Sequence, residues 1–177
     1  MSEKIVPVHA QGFFTMGVDG RVTQVTIFDY YDPECYYAKL LQGKGDLEGE
    51  LWRLAANMQS FLDEEKVLIN GERVKPEVRG IDICVRGDPK RPSVVFFITF
   101  KGELRPGVNS YEDCYEATVA EYDYEFYWIF PPGTSIVSVK MPGTYEVVNA
   151  ILMVWVRKGE KVDGYERIIF KIPHQLR

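Results

Sequence analysis

Histidine and cysteine are scarce in this sequence. The two histidines, His9 and His174, stand near its opposite ends, and the three cysteines, Cys35, Cys84 and Cys114, form no C-x-x-C pair. An odd cysteine count with so few histidines argues against a disulfide framework and against a zinc site, so no metal ligand set is expected. Long basic runs are also missing. No Lys/Arg run exceeds two residues and the net charge is −5, so the molecular field repels phosphate backbones and nucleic acid is not an expected partner. The longest apolar run, Val94 to Phe100 with Thr99 inside it, is far too short to span a bilayer. The first residues, MSEKIVPVHAQG, hold no apolar stretch of the kind a secretory leader needs. These absences lead to the expectation of a cytoplasmic protein without a membrane partner.

The composition itself is that of a folding chain. Hydrophobic residues make up 46% and charged residues 27% of 177, far from the profile of disordered segments. A chain of this length buries roughly two-thirds of its unfolded surface, and one domain over 1–177 is the default. Abundant Val, Ile, Glu, Lys and Tyr lean toward a thermophilic source.

Turn chemistry and periodicity then divide the chain. Val18-Asp19-Gly20-Arg21 reads as a two-residue hairpin turn joining Phe13–Val18 to Val22–Tyr30, because Asp-Gly tolerates positive φ. Asp32-Pro33-Glu34 supplies a cap, a first-turn proline and an acidic residue, so a short helix is expected over 33–42, with Tyr36, Tyr37, Leu40 and Leu41 on one face and Gly43 closing it. A second helix is expected over 47–65 after Asp46, its core stripe Leu47, Leu51, Leu54, Met58, Phe61 and Leu62. From Lys66 on, turn signals such as Asn70-Gly71, Gly87-Asp88-Pro89, Pro106-Gly107 and Pro142-Gly143-Thr144 recur at short intervals. Strands are expected near Val67–Ile69, Arg73–Val74, Val78–Arg86, Val94–Lys101, Cys114–Phe130, Ile136–Met141, Tyr145–Val147, Ile151–Arg157 and Tyr165–Ile172. The stretch Cys114–Phe130 would reach about 55 Å if extended, and its apolar parity changes from Tyr115, Ala117 and Val119 to Tyr122, Tyr124, Phe126 and Trp128. Strict alternation makes that change a bulge or corner near Ala120. About ten strands with short links and no helical crossovers imply an antiparallel β sandwich or flattened barrel, with the two-helix insert on one face or end.

Few residues stand out as carriers of chemistry. Glu121, Asp123 and Glu125 form an acidic ladder with about 7 Å between successive carboxylates, and two of them would share Mg or Ca if a neighbouring strand added ligands. With converging Lys or Arg, such a site would suit a metal-dependent hydrolase of phosphorylated small molecules, although no Gly-rich phosphate loop accompanies it. A solvated face with cross-strand ion pairs is the plainer reading. The loop Arg86-Gly87-Asp88-Pro89-Lys90-Arg91-Pro92 offers Arg86, Lys90 and Arg91 to an anion or acidic partner, or is simply a soluble turn. Nucleophilic catalysis finds no Cys–His or Ser–His pairing in sequence, and Cys84 and Cys114 read as small strand hydrophobes.

Aromatic residues are plentiful, with 11 Tyr, 10 Phe and 3 Trp, and any left exposed, such as Tyr31, Tyr127 or Tyr145, would serve recognition. The expected function is therefore a binding or assembly module without catalytic activity, self-associating or holding a protein partner, and needing no cofactor. The hydrolase is the alternative. A carrier of small apolar ligands is a third reading, and it would require a cavity of several hundred Å³ beneath the helices.

Overall fold

A computed structural model describes residues 4–173; His174 lies outside the described residues. Among the described residues, fourteen strands and two helices succeed one another. The first strand, β1 (Val6–Met16), turns back into β2 (Arg21–Tyr31). The link is longer than the two-residue turn expected. Neither Val18 nor Asp19 has positive φ; Gly20 does, at 78°, and its N–H donates to the Gly17 carbonyl while the Gly17 N–H donates to that of Arg21. A glycine in the left-handed region after an ordinary turn makes a bulged hairpin, which a dipeptide signal does not distinguish from the tighter form.

The helical insert follows. Helix α1 (Tyr36–Leu41) begins three residues later than expected, because Cys35 sits in the left-handed conformation at φ 54° and delays the first turn. Asp32 still serves the helix start: its Oδ2 accepts the Tyr37 N–H at 2.9 Å, and the residue is fully buried. Tyr37 and Leu40 point inward, whereas Tyr36 and Leu41 are exposed. Helix α2 (Leu47–Glu64) is capped by Asp46, whose side chain accepts the Gly49 N–H. Leu47, Leu51, Leu54, Met58 and Leu62 pack inward, but Phe61, expected in that stripe, is 65% exposed.

The remaining strands are β3 (Lys66–Ile69), β4 (Glu72–Val74), β5 (Glu77–Val85), β6 (Pro92–Lys101), β7 (Gly107–Cys114), β8 (Thr118–Val119), β9 (Asp123–Ile129), β10 (Ser135–Lys140), β11 (Thr144–Val148), β12 (Ile151–Val156), β13 (Lys161–Val162) and β14 (Tyr165–Ile172). The Asn70-Gly71 turn between β3 and β4 has positive φ at both residues, as a mirror-image turn demands. The single strand expected over Cys114–Phe130 is absent. Its parity change is a full break: β7 ends at Cys114, β8 is two residues long, and β9 resumes at Asp123.

Two large sheets result, ordered β11-β12-β9-β1-β2-β6-β5 and β10-β14-β7-β3-β4, with β13 and β8 as a small separate pair. The architecture is a mainly β sandwich with a two-helix insert and no closed barrel. Among the described residues all strand pairings are antiparallel except one, since β1 runs parallel to β9. More than a hundred residues separate those partners, and the long excursion between them replaces the helical crossover that parallel neighbours ordinarily need.

Two hydrophobic clusters hold the layers. One joins the sheets through Trp128, Leu152, Val154, Tyr111, Ile168 and Phe170. The other lies under the helices, where Tyr37, Leu40 and Leu62 meet Ile83, Val94, Phe96 and Ile98. By strand alternation these β5 and β6 residues share the inner face of the seven-stranded sheet with Phe14 and Trp128. The helices therefore take over, beyond the five-stranded sheet, the task of covering that face.

Candidate functional site

Where the five-stranded sheet gives way to α2, the layers do not close. A cavity of about 460 Å³ remains there. Its floor is the inner face of the seven-stranded sheet, through Gly12 and Phe14 of β1, Thr26 and Phe28 of β2, Phe100 of β6 and Phe126 of β9. Met58 and Leu62 of α2 form one wall, and the 118–122 connection crosses its mouth.

The remaining wall is acidic. Asp113 on β7 lies directly opposite Glu166 on β14 and opposite Val67 on β3. Directly opposed residues carry Cβ atoms about 5 Å apart on one sheet face, and Glu65, two residues before Val67, falls on that same face. All three carboxyl groups line the cavity. Asp113 is about nine-tenths buried, and its Oδ1 is among the buried polar atoms without a hydrogen-bond partner. Glu166 accepts the Tyr115 hydroxyl at 2.7 Å.

Burial dominates the electrostatics of the three. It drives Glu65 up to about 8, with the charges of Asp113 and Glu166 adding to the rise. Burial lifts Glu166 to about 7, partly offset by the Tyr115 hydroxyl. Asp113 rises to about 6 for the same reason, offset by the Tyr111 side chain and the Cys114 backbone. Each group resists ionisation because the low-dielectric wall disfavours charge. Tyr111, Tyr115 and Tyr124 around them are also shifted upward, first by burial.

The acidic ladder of the sequence does not converge. Glu121 lies outside β9 at the cavity mouth and is exposed. Asp123 is exposed and accepts the Lys158 N–H at 2.8 Å. The Glu125 carboxylate is held by His9 Nε2 at 2.7 Å and by the Gln11 amide at 2.8 Å. Among the described residues, no three His, Cys, Asp or Glu side chains gather in a metal-binding group. The basic loop is elsewhere too: Arg86 is exposed, the Lys90 carbonyl accepts the Asp32 N–H, and Arg91 lies 5.4 Å over the Tyr31 ring. None of Arg86, Lys90 and Arg91 lines the cavity.

His9 acquires neighbours that sequence distance concealed. Its Nδ1 lies 3.4 Å from Asp29, and the Ser93 hydroxyl donates to Asp29 Oδ1 at 2.5 Å. Burial lowers the His9 pKa, but the hydrogen bonds and charges of Glu125 and Asp29 outweigh it, and the net shift is upward. The order Ser–Asp–His is not that of a nucleophile and its base: the hydroxyl proton is directed at the carboxylate, and Ser93 is buried. The three thiols are free and half-buried.

The sequence matches no family model and no curated protein. Solved structures do match, and two of them show how weak the likeness is. An M1 zinc metallopeptidase from Deinococcus radiodurans aligns at TM-score 0.35 and 10% identity, over 94% of this chain and 42% of that one. A candidate protease from Parabacteroides distasonis aligns at TM-score 0.33 and 7% identity, over 96% and 40%. This chain thus spans less than half the length of either, and likenesses of this size bear on neither its activity nor its partners. Among the described residues, no helix is long and apolar enough to cross a membrane.

Proposed function

We propose that this chain is a non-catalytic binding module whose ligand is a small molecule with a largely apolar body, held between the sheets beneath α2. The observation that carries this reading is the cavity of about 460 Å³, walled by Phe14, Phe28, Phe100, Tyr111, Tyr124 and Phe126 among others. Binding sites for small molecules are concave, mostly apolar and furnished with a few polar groups, and this cavity has that character. A phosphate ester is disfavoured there, because no Lys, Arg or His lines the space among the described residues. The test is titration with the neutral fluorophore N-phenyl-1-naphthylamine. Saturable one-to-one binding is expected, weakened at least roughly tenfold by Thr26→Phe, which fills the space without altering the acidic wall. Absence of saturable binding, or binding indifferent to the filling substitution, would refute the reading.

A second reading, assembly, draws on the opposite side of the seven-stranded sheet. There Met153, Tyr127, Phe13, Val25 and Phe97 form one cross-strand row in register. None of these belongs to either hydrophobic cluster; Phe97 is 43% exposed, and Trp155 on the same face is 37% exposed. Contiguous apolar surface of this kind marks interaction sites. Light scattering over roughly a hundredfold concentration range is expected to show self-association that Phe13→Ser/Phe97→Ser abolishes. A strictly monomeric wild type would remove self-association as the role of this face.

A further inference from the structure

We propose that the ligand of the inter-sheet cavity is an organic cation, an ammonium group on an apolar body, and that Glu65, Asp113 and Glu166 are its counter-charges. This inference rests on the reading of the cavity as a ligand site and adds the chemistry of the ligand.

Three observations carry it. The first is charge balance. Glu65, Asp113, Glu121 and Glu166 line the space, and no basic side chain lines it among the described residues. Carboxyl groups in partly buried surroundings are best matched by a positive charge, and the lining offers none of its own. The second is Asp113 itself. It is about nine-tenths buried, it lines the cavity, and its Oδ1 has no partner in a position where an unmet acceptor is costly. A cation in the cavity would offset that loss through its charge, Oδ1 itself having no open surface. The third is the rest of the lining, eight Phe and Tyr rings around the space. Aromatic faces attract organic cations as well as apolar bodies. A bare divalent ion fits less well, since no three of these carboxylates come together in a metal-binding group. The raised pKa values of all three acids agree with a site that waits for a positive charge, because a bound cation would restore their ordinary ionisation.

The roles within the site divide by position. Asp113 and Glu166, directly opposite on β7 and β14, would grip the ammonium group, with Glu65 beside them on the same face. Glu166 keeps its hydrogen bond from Tyr115 as the ligand enters, since a carboxylate has a second oxygen to offer.

The experiment displaces N-phenyl-1-naphthylamine from the full chain with three molecules of one shape and different charge: 2-phenylethylamine, 2-phenylethanol and phenylacetate. It is run at about pH 8.5, where the amine is still mostly protonated and the acids of the wall are mostly ionised. The amine is expected to compete at least roughly tenfold better than the alcohol, and phenylacetate more weakly than either. Asp113→Asn/Glu166→Gln is expected to bring the amine to the level of the alcohol without changing the alcohol, whose unchanged binding also reports an intact fold. Equal competition by amine and alcohol in the wild type would overturn the cation while leaving the ligand-site reading in place. So would displacement by Ca²⁺ alone as effective as by the amine, or an amine preference that survives in the double variant. Failure of the fluorophore itself to bind would overturn both inferences together.

Discussion

Glu65→Gln is expected to leave stability unchanged near pH 4 and to raise it by roughly 3 kcal/mol above about pH 8, a gain of about 6–12 °C in Tm. Burial and the neighbouring charges of Asp113 and Glu166 hold the folded-state pKa of Glu65 at about 8, against 4.5 when unperturbed. The folded chain therefore keeps a proton that the unfolded chain releases, and it binds more protons across the interval between those values. Stability that is fully present below about pH 4.5 is lost as pH rises toward about 8. Gln has no proton to lose, so the decline flattens. A shift of one pH unit is worth about 1.4 kcal/mol, and the figure of roughly 3 kcal/mol allows for the partial solvent contact of the side chain. Urea denaturation of both proteins at the two ends of the interval measures the effect. Parallel stability curves for wild type and variant would mean that the Glu65 carboxyl is solvated and that the acidic wall is not a low-dielectric surface.

Trp128→Ala is expected to cost about 3–5 kcal/mol, the range for emptying a large aromatic site in a packed core. Trp128 has no exposed surface; its ring stacks on Phe14 at 4.7 Å and on Phe130 at 5.6 Å and meets the Tyr111 ring at a tilt with centroids 4.4 Å apart, so it joins β9 to both the neighbouring strand and the opposite sheet. Trp128→Phe is expected to be far milder, about 1 kcal/mol, because it keeps most of the apolar area and removes an indole N–H that is buried without a partner. The midpoint of urea unfolding at constant m distinguishes the two. Comparable losses for Ala and Phe would show that the indole N–H has a partner worth more than the packing.

Several features were legible locally, each for a local reason. Asn70-Gly71 demands a mirror-image turn because both residues tolerate positive φ, and the turn is there. Asp46 followed by leucines at steps of three and four specifies a capped amphipathic helix, and the expected and observed ranges differ by one residue. The change of apolar parity near Ala120 marks a corner because a strand has only two faces, although it could not say that the corner would be a break of eight residues. Phe61 misled for the opposite reason: helical spacing shows which residues share a stripe, not how wide a neighbouring sheet will cover.

The candidate site was less visible. Asp113 and Glu166 are 53 positions apart in sequence, and only the β7–β14 register sets them face to face. One signal was present in the alternation of β7, where Asn109, Tyr111 and Asp113 share a parity and all are buried. A carboxylate closing an inward row is what a strand passing from a core to a cavity with an acidic wall looks like. The Glu121, Asp123 and Glu125 ladder attracted notice because its carboxylates are close in sequence, yet alternation turned Asp123 and Glu125 away from the face that Tyr124 and Phe126 share with the cavity.

The sequence by itself determined the β-rich class, the two-helix insert and most of the turns, since these follow from backbone φ preferences and side-chain spacing within a few residues. Tertiary structure alone decided that β1 lies parallel to β9, that His9 meets Asp29 and Glu125, and that three carboxyl groups share one wall beneath α2. Strand register across long connections obeys no local rule, and the charge state of a carboxyl depends on the dielectric its neighbours create, which exists only once the sheets and the helix have closed around it.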